Sequence, residues 1–258
     1  MRVYLLNMYK YRDLFIELVR KDIKLKYRNS ILGVLWSMLN PLLMMLVLSI
    51  VFMTFFKNDI PNFPVYVLIG RILYQFFSES TNFAMDSILS NGALIRKVYV
   101  PKYYFPLSRL VSSFVSLILS LVPLLGMMIA TGMSFTWVNL LFFVPLVYLL
   151  LICGGLGLIL ASINVFFKDV KHFYSIIMLV VMYMTPIFYP VSIIPEQYMP
   201  IILMNPLYPI VEMFRGIVMY SSIPNMQLNL LALSYAVIYS VIGLLVFYKS
   251  QDKFIYHL

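Results

Sequence analysis

The sequence predicts an all-α polytopic membrane protein. Six transmembrane helices are expected, with an N-terminal amphipathic interface helix, a re-entrant helical segment before the last span, and both termini cytoplasmic. Three observations lead there. Of 258 residues, 62% are hydrophobic and only 11% charged, where soluble domains carry about 25% charged residues. Uncharged runs recur at about 20 residues, the length at which a helix rising 1.5 Å per residue crosses a hydrocarbon core about 30 Å thick. The lysines and arginines gather in alternate loops between those runs. A water-soluble enzyme is excluded, and 16% aromatic residues with 14 prolines exclude a polar disordered tail or a collagenous repeat.

At the N-terminus, Leu14, Phe15, Leu18, Val19 and Ile23 recur at helical spacing with Arg12, Glu17, Arg20, Lys21 and Lys24 between them. That pattern predicts an amphipathic helix at the interface over 10–28. No short apolar core with a small-residue cleavage site precedes it, so a secretory signal is not expected. The first span is predicted over 35–56, with Pro41 near its start. The second, over 64–86, is weaker because it contains Arg71 and Glu79.

From Leu110 to Phe167 there is no charge, a stretch too long for one helix. The patch Thr131-Gly132-Met133-Ser134-Phe135-Thr136 divides it into spans over 107–130 and 138–163 joined by a tight turn. The fifth span, over 173–190, ends in the proline-broken run Thr185-Pro186-Ile187-Phe188-Tyr189-Pro190, and the sixth covers 228–247. Between them, Val191 to Gln227 is semi-apolar but interrupted by Pro195, Glu196, Pro200, Pro206, Pro209, Glu212, Arg215 and Pro224. It reads as a re-entrant or interfacial segment, because broken backbone at membrane depth survives only where protein or a water-filled cavity covers it.

The net charge of +9 is positional. Arg2, Lys10, Arg12, Arg20, Lys21, Lys24, Lys26 and Arg28 precede the first span. Arg96, Lys97, Lys102 and Arg109, then Lys168 and Lys171, then Lys249 and Lys253 fall on the same side, against Lys57 and Arg215 on the other. The positive-inside bias puts both termini in the cytoplasm, and a seventh span would move the basic tail outside. Nucleic-acid binding is therefore not expected. The single cysteine, Cys153, rules out a disulfide framework within one chain, and His172 and His257 have no companion at ligand spacing, so no metal site is expected.

The stretch Tyr27-Arg28-Asn29-Ser30-Ile31-Leu32-Gly33-Val34-Leu35-Trp36-Ser37-Met38-Leu39-Asn40-Pro41-Leu42 resembles the signature that opens the first span of ABC-2 type polysaccharide export permeases. These are the transmembrane subunits that serve O-antigen, capsule and teichoic acid. The likeness continues in order through Lys97-Val98-Tyr99-Val100-Pro101, Asn164-Val165-Phe166-Phe167-Lys168-Asp169-Val170, Thr185-Pro186-Ile187-Phe188-Tyr189 and Asn205-Pro206-Leu207-Tyr208-Pro209. Lys168 stands where the family more often has Arg, which keeps the charge.

The resemblance implies a homodimer in the plasma membrane (the inner membrane of a Gram-negative cell), working with two copies of a separate ATP-binding cassette subunit to export lipid-linked polysaccharide. This chain has no Gly-x-x-x-x-Gly-Lys-Ser/Thr phosphate loop. No cofactor is expected on it; ATP and Mg are expected on the partner subunit.

Candidate sites follow. Coupling to the ATPase is expected at the short loops carrying Arg96, Lys97, Tyr99, Lys168 and Asp169, beside the amphipathic helix. Aromatic faces suit the apolar C–H faces of sugar rings, which makes Trp36, Phe52, Phe55, Phe56, Tyr74, Phe76, Phe77, Tyr183, Phe188 and Tyr189 candidates for a substrate path; interfacial belts and packing are the competing use of such rings. The resemblance favours spans one and five as channel walls, and Arg28, Leu32 and Gly33 as the entry of the lipid diphosphate head group, where a guanidinium pairs well with phosphate.

Arg71 and Glu79 would each cost about 2.5–3.5 kcal/mol at mid-membrane; Arg71 lies near the outer end, where it can snorkel, and Glu79 deeper in. Glu79 shares a face with Gln75, which reads as a hydrogen-bond network between spans. Cys153, Gly157 and Ala161, four apart, read as a close-packing face. Alternatives are an ABC-2 permease for teichoic acid, a lipid or a drug, and a membrane-bound transferase, which would need an acidic pair or a His nucleophile at a membrane face. A secondary carrier would need more intramembrane carboxylates.

Overall fold

The computed structural model describes residues 11–28, 30–56 and 60–258, and of 53–56 the backbone. Among these residues the regular structure is helical: α1 (Arg12–Lys26), α2 (Trp36–Phe56), α3 (Phe63–Ser90), α4 (Gly92–Lys97), α5 (Tyr104–Ala130), α6 (Phe143–Phe166), α7 (Val170–Met184), α8 (Met199–Leu203), α9 (Leu207–Tyr220), α10 (Met226–Ser250) and α11 (Phe254–His257). A 3-10 turn over Gly33–Leu35 leads into α2, and another over Trp137–Phe142 leads into α6.

Among the described residues, four segments are long and apolar enough to cross a membrane: Gly33–Phe52, Tyr104–Ala130, Trp137–Phe166 and Met226–His257. The pair Glu196–Leu203 and Leu207–Tyr220, bent by 101°, makes up to a fifth. Two of the six expected spans fall outside that count, for different reasons. Helix α3 has 28 residues, about 42 Å of helix and ample for a bilayer. Its polar positions Arg71, Gln75, Ser78, Glu79, Asn82 and Asp86 dilute its apolar character.

Helix α7 has only 15 residues, and stops at Met184 rather than running to Pro190. Pro186 removes a backbone donor and disfavours helical torsions in the residue before it. Thr185 is accordingly extended, with φ −85° and ψ 124°. Its hydroxyl donates to the Val181 carbonyl at 2.7 Å and accepts from Asn205 Nδ2 at 2.8 Å.

Helix α3 is the centre of the bundle. Its Leu68, Ile69, Leu73, Phe77 and Met85 are fully buried, with Phe76 beside Phe114 of α5 in an edge-on ring contact. Helix α6 presents two small-residue faces. Cys153 and Ala161 are buried, and a Cβ on Gly157 would lie 2.8 Å from that of Ala84, so this face meets α3. The other face meets α10 closely enough that a Cβ on Gly155 would overlap the Tyr239 carbonyl, and one on Gly243 the Gly155 carbonyl. Backbones in such contact gain dispersion energy that larger side chains would block.

The bundle has two distinct ends. At one, α1, α4, the 167–169 turn and α11 gather around Leu18, Ile88, Ile95, Tyr104, Phe105, Phe247 and Phe254. Among the described residues, every lysine and arginine except Arg71 and Arg215 belongs to elements at this basic end. The far end is built from Ile60, Phe63 and Tyr66, the 131–136 turn, and the broken segment from Thr185 to Asn225.

Candidate functional site

At the basic end, α1 lies against α3 and α5 through a ladder of polar contacts. Asp22 and Lys26 sit one turn apart on the face that also carries buried Leu18. Asp22 Oδ1 pairs with Arg109 at 3.4 Å, and Ser108 Oγ donates to Asp22 Oδ2 at 3.2 Å. Burial pushes the Asp22 carboxyl up from its ordinary value, outweighing Arg109, Ser108 and Lys21, which pull it down. Lys26 Nζ donates to Glu79 Oε1 at 2.6 Å and to Ser116 Oγ at 2.9 Å. Lys21 Nζ donates to Asn91 Oδ1 at 3.0 Å.

The hydroxyls on α5 recur every fourth residue, Ser108, Ser112, Ser116 and Ser120, which places them in one row. Ser120 Oγ continues the row by donating to the Ser37 carbonyl of α2 at 2.8 Å. A polar cavity of about 10 Å³, room for one water, lies between Ser37, Gln75, Glu79, Ser113, Ser116 and Ser120. Glu79 thus takes the role of a bridge between helices, and its partner is a lysine of the surface helix.

Helix α1 also borders a basic concavity of about 600 Å³ lined by Glu17, Arg20, Lys21, Lys24, Leu25 and Arg28. Arg28 and Leu32 are exposed just beyond it. Gly33 has φ +49°, a left-handed conformation that a side chain adopts only at a cost. Its N–H is capped by Ser30 Oγ at 3.1 Å.

Arg96, Lys97 and Tyr99 are exposed on α4 and the strand of chain after it, and Lys168 and Asp169 are exposed in the turn before α7. That turn is tied to α3: Lys171 Nζ pairs with Asp86 Oδ2 at 2.7 Å, and Asn164 Nδ2 donates to the Met85 carbonyl at 3.0 Å. Lys102 Nζ donates to the Gln251 carbonyl at 2.5 Å, and burial lowers its pKa.

The aromatic residues separate into groups. Trp36 is exposed at the basic-end start of α2. Phe52, near the other end of that helix, stacks on Phe188 with ring centroids 5.8 Å apart. Tyr183 is 59% exposed, and its carbonyl accepts from the half-buried Tyr189 hydroxyl at 2.5 Å. These four residues meet at the far end. Tyr74, Phe76 and Phe77 are buried in the core, where the Tyr74 hydroxyl donates to the Met178 carbonyl at 2.9 Å and holds α7 against α3. The side chains of Phe55 and Phe56 lie outside the described residues.

A feature that periodicity does not reveal sits behind the Thr185–Pro190 break. Arg215 of α9, 1% exposed, donates to the carbonyls of Pro186 at 2.8 Å, Tyr66 at 3.2 Å and Ile187 at 3.4 Å, and pairs with Glu212 at 3.1 Å. The Tyr66 hydroxyl reaches the Tyr189 carbonyl at 2.9 Å. Broken backbone at this depth needs such donors. A Cβ on Gly70 would meet both Arg215 Nη2 and Ile187 Cγ2 at 3.0 Å, so the glycine makes room for the guanidinium. The available signal was Glu212 and Arg215 spaced for one helix face inside an otherwise apolar stretch.

Comparison with known proteins places this geometry. The chain is 29% identical over 246 residues to an O-antigen export system permease protein RfbA of Klebsiella pneumoniae, covering 94% of this chain and 93% of that protein. It is 33% identical over 223 residues to an RfbA of Myxococcus xanthus, covering 86% of each. It is 29% identical over 241 residues to the polysialic acid transport protein KpsM of Escherichia coli, covering 90% of this chain and 91% of that protein. Residues 13–219 match the family described as ABC-2 type transporter. That region runs from the polar ladder of α1 to the end of α9 with its Arg215, and the chain belongs to the ABC-2 type transporter family.

Proposed function

We propose that this chain is the transmembrane subunit of an ATP-driven exporter that moves lipid-linked, O-antigen-like polysaccharide from the cytoplasmic side across the plasma membrane. The observation that carries the reading is the near-full-length similarity to permeases named for O-antigen export. The opening motif around Tyr27–Leu42 and the broken Thr185–Pro190 segment support it. In this reading the subunit acts as a homodimer with two ATP-binding subunits, which hold the ATP and Mg; this chain binds no cofactor.

Six crossings with both termini cytoplasmic fit the gathering of basic groups at one end. Helices α3 and α7 are then crossings completed by other protein surfaces or by water, and α8–α9 is the re-entrant segment. Exposed Arg96, Lys97, Tyr99, Lys168 and Asp169 dock the ATPase, and the Lys171–Asp86 pair passes its motion to α3. Arg28, Leu32 and Gly33 flank the head-group entry, with the basic concavity of α1 supplying counter-charge. Trp36 near the entry and Phe52, Tyr183, Phe188 and Tyr189 at the far end serve the sugar path.

The test is export. The chain is expressed with its ATP-binding partner in a cell that makes the lipid-linked polymer but lacks an exporter, and surface polysaccharide is measured. Surface polymer is expected with the pair and is lost when the partner's phosphate-loop lysine is replaced. Polymer retained inside with an intact, ATP-hydrolysing pair would overturn the reading in favour of another cargo, such as a teichoic acid, a lipid or a drug.

A further inference from the structure

Helix α3 carries polar side chains at Arg71, Gln75, Ser78 and Asn82, spaced four, three and four residues apart. At 100° per residue they share one face, and they cover about 16 Å of helix. The flanks of that face are identified by contacts. On one side Tyr74 donates to the Met178 carbonyl and Thr81 accepts from the Tyr174 hydroxyl, both on α7. On the other side Ile72 and Glu79, with Gln75 at the edge of the face itself, border the small cavity shared with Ser37 of α2 and Ser116 of α5. The polar face therefore looks out between α7 and the α2–α5 side, and all four residues are partly exposed.

Part of this polarity is satisfied within α3, where Asn82 Nδ2 lies 3.5 Å from Ser78 Oγ, and part has no partner among the described residues. Arg71 Nε and Gln75 Oε1 are buried atoms without a hydrogen-bond partner, and among the described residues Arg71 has no ion pair. Asn82 Nδ2 turns back to the Ser78 carbonyl of its own helix at 2.7 Å. A guanidinium within a span is expensive, all the more where no carboxylate among the described residues pairs with it, and such residues face a bundle interior or a water-filled cavity. The exposed face of α7 alongside, Ile176, Ile177 and Val180, is apolar, so on that side the polarity comes from α3.

We infer that the Arg71–Gln75–Ser78–Asn82 face of α3 is the hydrogen-bonding wall of the export path, contacting the hydroxyl groups of the sugar chain through water-accessible amide, hydroxyl and guanidinium groups. The inference rests on the polysaccharide reading above. Aromatic rings alone give a sugar only its apolar faces. The stripe supplies donors and acceptors, all exchangeable with water, so a chain can move along it one ring at a time. Arg71, with a planar fork of donors, is the position at which an acidic sugar would gain a bidentate contact.

The experiment is thiol labelling in inside-out vesicles containing the permease and its ATP-binding partner. Single cysteines at 71, 75, 78 and 82 are introduced in a Cys153→Ala background, with Val241→Cys on the exposed apolar face of α10, a helix outside the proposed path, as the control. Ser78→Cys is nearly isosteric and keeps the test open where Arg71→Cys fails to fold. Because only the thiolate reacts and apolar surroundings suppress it, a charged methanethiosulfonate is expected to label positions 78 and 82 about tenfold faster than position 241.

Labelling is expected to slow when the vesicles come from polymer-producing cells rather than from polymer-deficient ones. Reactivity no greater than at position 241 would overturn the water-accessible wall. Fast labelling unaffected by polymer would overturn sugar contact. Export by the unlabelled wild-type pair is measured in the same cells, and its loss would overturn the polysaccharide reading instead.

Discussion

The guanidinium carbon of Arg215 lies 3.4 Å from the centroid of the Tyr66 ring. A desolvated cation over an aromatic face at this range is worth about 2 kcal/mol. The pair does more than that, because both side chains also donate to carbonyls of the same broken segment after α7. The far end of α7 is thereby fastened to α3 and α9 by residues more than 100 positions apart in the chain.

Replacing Arg215 removes donors from several buried carbonyls at once. Arg215→Lys retains a charge but not the planar fork, and is expected to lower stability by about 1–3 kcal/mol, with Arg215→Leu lower still. Thermal unfolding of the detergent-solubilised protein reads this directly, and an unchanged midpoint in both variants would remove Arg215 from this role.

The Lys26–Glu79 contact is predicted to behave as a partly buried ion pair. Lys26→Met and Glu79→Leu should each destabilise more than the double variant does, because each single change strands a partly buried charge without its counter-charge. A coupling energy of about 0.5–3 kcal/mol is expected from the cycle. Additive effects would show that α1 is held by its other contacts.

The Asp22 carboxyl titrates above its ordinary value because burial outweighs the attraction of Arg109. With the folded pKa above the unfolded one, the folded state binds the proton more readily. Its contribution to stability is greatest below the unfolded pKa and declines as pH rises through the folded one. The stability difference between wild type and Asp22→Asn should therefore move in favour of wild type as pH falls from neutral toward 4. Movement in the opposite direction would mean that Arg109 dominates the site.

Gly155 and Gly126 are both helical glycines with opposite expectations. Gly155→Ala forces a methyl into the Tyr239 carbonyl and should sharply reduce the yield of folded protein. Gly126→Ala meets no atom within 4 Å, and should be neutral or stabilising by up to about 1 kcal/mol through helix propensity. Size-exclusion profiles of the two variants separate them.

Periodicity and run length were enough to place most helices within a few residues. The amphipathic segment expected over 10–28 is α1 at Arg12–Lys26, and the turn expected at 131–136 separates α5 from the approach to α6. These features follow from partition between water and an apolar phase, which acts on each residue according to its own chemistry and its neighbours at helical spacing.

The same chemistry says little about which apolar face looks inward. Lipid is as apolar as a protein core, so Tyr74 and Phe188 read as equivalent to Trp36 and Tyr183 until packing is known. Packing buries the first two and leaves the second two exposed.

Polar pairing is the part that chain order hides most completely. Lys26 finds Glu79, Asp22 finds Arg109, and Arg215 finds the Tyr66 carbonyl across 149 positions. Of these residues only Glu79 stood out in the sequence as an expensive charge within an apolar span, and Arg215 as an interruption of a semi-apolar stretch. Which residues share that expense is decided when helices pack, because a buried charge is stabilised only by groups brought within a few ångströms of it.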